Sequence, residues 1–343
     1  MNNFIYENRT KVYFGPGCVK EFLVSLIKDY DTVMLAYGMG SVKKNGIYDE
    51  ILGILIKSGK NVVEFSGIMP NPTYRKVMEG ARLARSSGAQ IILGIGGGSV
   101  MDCCKAVALA AYCKGDPWEN YWERKGVIHF EPIPVGVVVT AAGTGSECNG
   151  AAIITNEEKR RKTGYDYLAC NPRFALMDPT YTFTVPKEQM ISGAFDSLSH
   201  VMETYFSAPD ERNVSDEISE TLMQSIIRNI RMILKDPQDY GARSNLLWES
   251  SLSENRLIKL GKQCDFACHL MAHQIGAYTD CSHGQAMAVL HPVYYRHIYK
   301  SGVEKFSRFA RNVWKIREQG KTDAELAKDG IDALESFIKV TGL

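Results

Sequence analysis

Asp196 and His200 stand four residues apart in a helix-like stretch, Ala194–Phe206, and His269 and His273 repeat that spacing within Asp265–Ala277. A helix brings positions i and i+4 onto one face, so each stretch offers two donors side by side. After a short break at Tyr278–Ser282 comes His283-Gly284. One carboxylate with three imidazoles is an N₃O set suited to a borderline divalent cation such as Zn²⁺ or Fe²⁺. A lone histidine is most often a surface or satisfied core residue. Four at these spacings point to a metal instead. Cys264 and Cys268, also four apart, offer a thiolate alternative. It ranks lower, because no partner cysteines stand at finger-like spacing and buried Cys generally packs as a small hydrophobe. His291 and His297 read as structural or surface residues.

A second chemistry lies upstream. Gly94-Ile95-Gly96-Gly97-Gly98-Ser99 follows an apolar run and leads into a helical segment containing Asp102 and Lys105. Glycines let the backbone approach a phosphate closely, and the helix that follows aims unpaired N–H groups and a partial positive charge at the same anion. The usual dinucleotide fingerprint is not met, because the loop ends in Ser99 and no acidic residue follows at the expected distance. Thr140-Ala141-Ala142-Gly143-Thr144-Gly145-Ser146-Glu147 also follows an apolar run. Two such loops at strand ends of one sheet match the crevice where nucleotides bind in open α/β folds.

The elements that must hold these groups change character along the chain. Thr32–Ala36, Asn61–Phe65, Gln90–Leu93, Pro134–Val139 and Phe174–Met177 are short apolar runs of the kind found in strands buried on both faces. Segments of helical length, Val42–Lys57, Tyr74–Ser86 and Val100–Ala111, alternate with them, which predicts βαβ units and a mostly parallel sheet. Beyond Pro186 the periodicity becomes helical, as in Ser215–Leu234, Gly241–Leu260 and Thr322–Val340. The expected organisation is an α/β nucleotide-binding domain over residues 1–183 and an all-α metal-binding domain over 184–343. The charged run Glu157–Lys162 reads as a solvated hairpin turn.

Composition narrows the partners. Of 343 residues, 40 are Lys or Arg and 39 Asp or Glu, a net charge of +1 with no basic block. That argues against nucleic acid or an anionic membrane as the main partner. Apolar runs such as Val135–Ala142 are far shorter than a membrane span. The odd set of nine cysteines shows no CxxC spacing, and Met1-Asn2-Asn3-Phe4 has no signal-peptide character, so a reduced cytoplasmic protein is expected.

Together the two halves suggest hydride chemistry on an alcohol or carbonyl oxygen, and here a specific resemblance emerges. The chain resembles the iron-dependent (group III) alcohol dehydrogenases, closest to their butanol dehydrogenase branch. The matching stretches include the run Tyr37–Gly46, Pro70-Asn71-Pro72, the run Gly96–Asp102, Thr144-Gly145-Ser146-Glu147, Asp178-Pro179, the run Asp196–His200 and His269-x₃-His273-x₉-His283-Gly284. The resemblance implies a dinucleotide-binding domain and a helical domain of the dehydroquinate synthase-like fold, and a homodimer. It implies Asp196, His200, His269 and His283 as metal ligands, with His273 beside the nicotinamide and not a ligand. It implies cofactor contacts at Gly38, Ser41, Asn71, Gly97, Gly98, Ser99, Asp102, Thr140, Thr144 and Lys162. For Lys162 the solvated turn stands as an equal reading, and Asp102 could equally serve the first turn of its helix.

After the second strand, where NAD-preferring relatives can carry an Asp, this chain reads Gly38-Met39-Gly40-Ser41. Ser41, Lys43 and Lys44 could meet a 2′-phosphate, so NADP(H) is expected over NAD(H). The resemblance implies Fe²⁺, with Zn²⁺ or another divalent cation as a substitute, and a short- to medium-chain primary alcohol or aldehyde such as butanol or butanal as substrate. Asn149 and Phe266 are candidates to line the substrate site. The resemblance also implies further helices after Leu343. Two other readings stay open: a glycerol-type dehydrogenase or a dehydroquinate synthase-like enzyme on the same fold, and a silent protein that only holds nucleotide and metal.

Overall fold

A computed structural model describes residues 1–209 and 212–343, which group into two compact units, Asn8–Val185 and Pro186–Leu343 with Met1–Glu7. The first seven residues thus leave the α/β half to which the sequence assigned them. Their anchor is local: the Asn2 N–H donates to the Gly261 carbonyl at 3.0 Å.

In the α/β unit, strands β1 (Lys11–Phe14), β2 (Thr32–Tyr37), β3 (Asn61–Phe65), β4 (Ile91–Gly96), β5 (Val135–Val139) and β8 (Phe174–Met177) form one parallel sheet in the order β1-β8-β5-β4-β2-β3. β6 (Ala151–Asn156) and β7 (Arg161–Asp166) form a separate antiparallel hairpin. Helices α1 (Cys18–Leu26), α2 (Ser41–Lys44), α3 (Ile47–Lys57), α4 (Tyr74–Ser87) and α5 (Gly98–Ala110) complete the unit. The single helix expected over Val42–Lys57 is two helices. Gly46 takes a left-handed φ of 82°, and the Asn45 side chain accepts from the Ile47 N–H, which starts the chain afresh.

The sheet is covered on both faces, as its apolar runs require. Leu93, Ile95, Val33 and Leu35 pack with Val19 and Leu23 of α1 and Ile51 and Leu55 of α3. Each such fully buried side chain contributes roughly 1.5–3 kcal/mol. Gly94 points to the opposite face, where a Cβ would stand 2.9 Å from Cys104 Sγ of α5. Only the absence of a side chain there lets α5 lie so close. The connection from β2 runs outward to β3 and the connection from β4 runs the other way to β5. The ends of β2 and β4 therefore form the topological switch point where α/β sheets take their ligands. Asp178, at the end of β8, accepts from the Gly17 N–H at 2.6 Å and from the Thr180 N–H, which explains the Asp178-Pro179 motif as a structural tie.

The second unit is helical: α6 (Lys187–Tyr205), α7 (Val214–Lys235), α8 (Tyr240–Glu254), α9 (Ala267–Thr279), α10 (His283–Ile298), α11 (Val303–Arg308) and α12 (Asp323–Thr341). Thr322 and Glu325 close a capping box at the start of α12. Fully buried Asp216 is held between Lys262, at 2.7 Å, and Lys305, so its charge is paired inside the core. No helix among the described residues is long and apolar enough to cross a membrane.

Candidate metal centre and cofactor loops

The donors come from three helices of the second unit. Asp196 and His200 lie one turn apart on α6, His269 lies in the first turn of α9, and His283 is the first residue of α10. The Asp196 Oδ1 atom lies 3.6 Å from His283 Nε2 and 3.7 Å from His269 Nε2, with the Nδ1 edge of the His200 ring 3.8 Å away. Asp196, His200 and His269 each present a donor atom within 4.8 Å of the other two.

Hydrogen bonds fix which nitrogen each imidazole keeps free. A carbonyl can only accept, so the 2.9 Å contact of His200 Nδ1 with the Asp196 carbonyl places the proton on Nδ1 and the lone pair on Nε2. The Glu203 carboxylate does the same for His269. Its Oε2 takes the His269 Nδ1–H and accepts from the His269 backbone N–H at 3.2 Å, while Oε1 accepts from the Cys268 N–H at 2.8 Å. Glu203 thus caps the N-terminus of α9 and turns His269 Nε2 toward Asp196.

Two buried atoms, Asp196 Oδ1 and His269 Nε2, have no hydrogen-bond partner among the described residues. An orphaned carboxylate oxygen and an orphaned ring nitrogen facing each other fit a cation between them. The electrostatics agree. Burial alone would raise the Asp196 carboxyl, yet the surrounding imidazoles hold it below the usual carboxylate range. Burial opposes charge on His269 as well, yet Asp196 and Glu203 raise it to about 9. The site demands positive charge at this point. His200 is lowered, by burial and then by His269.

Gly284 explains the second half of the His283-Gly284 pair. A Cβ there would stand 2.2 Å from the Ser192 carbonyl oxygen of α6. Backbone cannot give way like a side-chain tip, so Gly284→Ala pushes α10 off α6 and carries His283 with it. Overpacking of this kind costs about 1–3 kcal/mol. The expected result is a lower melting temperature of the metal-free protein and faster loss of metal to a chelator, checked by differential scanning fluorimetry and metal analysis after dialysis.

His273 is not in the mutual donor set. Its ring stacks on His283 with centroids 5.3 Å apart. Phe266 lies beside the ligands, 5.1 Å from His269 and 6.2 Å from His200. His291 is fully buried and bonded to Ser199 Oγ, and burial holds its pKa well below the usual value, a structural residue. Burial likewise raises the Cys268 thiol, which disfavours the thiolate alternative.

In the α/β unit the two glycine loops meet. The Thr140 N–H donates to the Gly96 carbonyl at 3.0 Å. A Cβ on Gly98 would stand 2.4 Å from Thr144 Oγ1, and one on Gly97 would stand 3.2 Å from the Ala141 Cβ. Gly97, Gly98, Ser99, Thr140 and Thr144 are therefore one cluster, at the switch point and at the N-terminus of α5, where Gly97 has no side chain to cap the first N–H groups. Gly38 directly follows β2, and a Cβ there would stand 3.9 Å from the Val100 side chain of α5. Ser41 opens α2 and is exposed.

Three other candidates look different from their sequence reading. Lys162 lies on β7, outside the Glu157–Arg160 turn; it is buried and donates to Asn71 Oδ1 at 2.6 Å. Those two candidates thus meet each other. Asp102 does not cap its helix: Oδ1 accepts from Ser146 Oγ and Oδ2 from the Ile153 N–H at 2.9 Å, tying α5 to the second loop and to the hairpin. Asn149 is locked inside the α/β unit, holding the Ala151 N–H, the Gly145 carbonyl and the fully buried ammonium of Lys105. Its polar atoms are thus engaged within the α/β unit.

The sequence showed no carboxylate after β2, but β3 supplies one. Glu64 accepts from the hydroxyls of Tyr37 and Tyr48, and Lys43 Nζ sits 3.4 Å from it, over both rings. Lys43 is thereby engaged within the protein.

A glycine-loop cluster at the switch point of one unit and a candidate N₃O cation site on the other fit a metal- and dinucleotide-dependent oxidoreductase. Comparison with known proteins makes the class specific. Residues 9–179 match the iron-containing alcohol dehydrogenase domain, and residues 190–343 match the C-terminal domain of the same family. The chain belongs to the iron-containing alcohol dehydrogenase family. It is 36% identical over 345 aligned residues to the NADH-dependent butanol dehydrogenase A of Clostridium acetobutylicum, covering 100% of this chain and 88% of that one. It is 33% identical to the NADPH-dependent aldehyde reductase YqhD of Escherichia coli, with the same coverage. The crystal structure of the NADH-dependent butanol dehydrogenase A from Thermotoga maritima superposes with a TM-score of 0.94 at 36% identity, covering 100% of this chain and 85% of that one.

Proposed function

We propose that this enzyme interconverts a short- to medium-chain primary alcohol, with butanol as the reference, and its aldehyde, with Fe²⁺ as the cation and NADP(H) as the preferred nicotinamide. The observation that carries the reading is the convergence of three imidazoles on one Asp196 oxygen. When bound, a divalent cation supplies Lewis acidity toward the substrate oxygen, and the nicotinamide exchanges the hydride.

The chain's own residues do the rest. Asp196 provides the negative charge, and His200, His269 and His283 provide the nitrogens. The Asp196 carbonyl and Glu203 keep His200 and His269 in the tautomers that leave Nε2 free. Gly97 and Gly98 leave room for a pyrophosphate against the α5 N–H groups. His273, stacked on His283, holds or passes a proton at its ring. Ligand softness permits Zn²⁺ as a substitute.

The NADP(H) preference rests on Gly38, which presents no carboxylate to a 2′-phosphate, and on the exposed Ser41 and Lys44. Lys43, paired with Glu64, contributes less than its sequence position suggests. One charge-assisted hydrogen bond to the phosphate is worth about 1.5–3 kcal/mol, roughly tenfold or more in rate. The test is anaerobic NADPH oxidation with butanal, on metal-stripped protein reloaded with Fe²⁺ or Zn²⁺, with NADH in parallel. Metal-dependent turnover with kcat/KM about tenfold or more higher for NADPH is expected. Equal or better efficiency with NADH refutes the preference, and tight NADPH binding without turnover under any metal refutes the activity.

A further inference from the structure

Glu64 is the one charged residue of β3, and its side chain ties three other elements together. It accepts from the hydroxyl of Tyr37, the last residue of β2, and at 2.6 Å from that of Tyr48, in the first turn of α3. Lys43 Nζ, from α2, lies 3.4 Å from the same carboxylate, 4.2 Å from the Tyr48 ring centroid and 5.0 Å from that of Tyr37. The Tyr37 and Tyr48 hydroxyls hold the Glu64 carboxyl below its usual range, so it is charged at neutral pH.

The place of this cluster in the sheet gives it a task. In open α/β sheets the pyrophosphate sits on the glycine loop and the ribose sits at the end of a neighbouring strand, where a carboxylate favours a free 2′-hydroxyl and a cation favours a 2′-phosphate. Here the first glycine loop follows β4, whose neighbours are β5 and β2. The end of β5 is taken by the second loop, through the bond from the Thr140 N–H to the Gly96 carbonyl. The end of β2 is left for the ribose, with Tyr37 opposite Ile95 of β4 and residues 38–44 following. Both charges that could decide the matter stand there, a carboxylate and an ammonium, and each is bound to the other. We propose that Glu64 is a specificity-determining residue of the cofactor site: by holding Lys43 it limits the preference for a 2′-phosphate that Gly38, Ser41 and Lys44 establish.

The inference rests on the cofactor reading above and adds what restrains it. The tie is a weak one. Both side chains are 46% exposed, and a pair of that kind shifts an equilibrium by at most about fivefold. A phosphate monoester carries close to two negative charges and competes for the same ammonium, while the Glu64 charge repels it. Glu64→Gln removes the repulsion and releases Lys43, yet it keeps the packing. The amide oxygen accepts from one tyrosine hydroxyl, and the other hydroxyl can turn to accept from the amide N–H₂.

The test uses the full metal-free chain and two probes that differ only in the phosphate in question, adenosine 2′,5′-bisphosphate and adenosine 5′-monophosphate, titrated calorimetrically. Glu64→Gln should raise the affinity ratio, bisphosphate over monophosphate, by about fivefold. Lys43→Met should lower that ratio more in the Glu64→Gln background than in the wild-type chain. The ratio of kcat/KM for NADPH over NADH should follow the same order, through KM. A cluster with a merely structural role would move both probes alike. An unchanged ratio in Glu64→Gln, with circular dichroism as wild type, overturns the inference, and so does a gain that survives Lys43→Met in full. Failure of the cofactor reading shows elsewhere: a wild-type chain that binds the monophosphate as tightly as the bisphosphate refutes the NADP(H) preference, while the comparison between variants still decides the role of Glu64.

Discussion

Asp196→Asn is expected to empty the metal centre and to lower kcat/KM for butanal by about a thousandfold or more. The amide keeps the shape of the side chain but removes the one charge on which three imidazoles converge. It also offers an N–H₂ group where a cation requires a lone pair. Lewis-acid stabilisation of the reacting oxygen is worth several kcal/mol, and each 1.36 kcal/mol is a factor of ten. Metal content after dialysis and steady-state kinetics with re-added Fe²⁺ check this. Folding should survive, because Asp196 Oδ1 makes no hydrogen bond that Asn would break. The metal-free variant should nevertheless melt lower than metal-free wild type at neutral pH, since the imidazoles that hold the Asp196 carboxyl below its usual range stabilise the fold through its charge. Full metal occupancy with a wild-type rate would exclude the assigned role.

What the sequence revealed of this centre follows from where the information lies. Asp196 with His200, and His269 with His273, were visible because helical spacing is a local property: four residues apart means one face wherever the helix sits. The strands β2, β3, β4, β5 and β8 were visible because burial on both faces leaves unbroken apolar runs. β1 and the strands β6 and β7 were not, although the charged run between β6 and β7 read as a hairpin turn. Lys11–Phe14 and Arg161–Asp166 carry lysine, arginine and half-buried residues, with neither continuous apolarity nor regular alternation. The polar partners that lie far apart in the chain were hidden for a different reason. Glu203 meets His269 across 66 residues, and Lys105 meets Ser146 across 41. Glu64 reaches Tyr37 only because β3 pairs with β2 in a register that sets Glu64 opposite Leu35. In the sequence each of these is one more charged residue on a helix or strand. Its partner exists only once the chain is folded, and no periodicity announces it. The same holds for Lys162, whose neighbours in sequence suggest a solvated turn while its neighbours in space bury it against Asn71.

Glu203→Gln is expected to lower metal affinity about 10–100-fold, the usual effect of losing the partner that orients a ligating imidazole. The argument is one of donors and acceptors. All three groups that meet Glu203, the N–H of Cys268, the N–H of His269 and the Nδ1–H of His269, are donors. A carboxylate accepts from all of them, and an amide cannot. In one orientation its NH₂ faces the Cys268 N–H. In the other it faces the His269 N–H and drives the imidazole proton from Nδ1 to Nε2, the atom that must stay bare for the cation. Either way a buried N–H loses its partner, which costs about 1–3 kcal/mol, so the metal-free variant should also melt lower than wild type. The two effects separate the roles. Glu203 as a mere cap for α9 predicts a lower melting temperature with unchanged affinity for Zn²⁺ or Co²⁺. Glu203 as the positioning residue of His269 predicts that affinity falls as well, that the Co²⁺ spectrum shifts, and that Glu203→Asp, which keeps the charge and the acceptor character, restores part of the binding while Glu203→Gln does not.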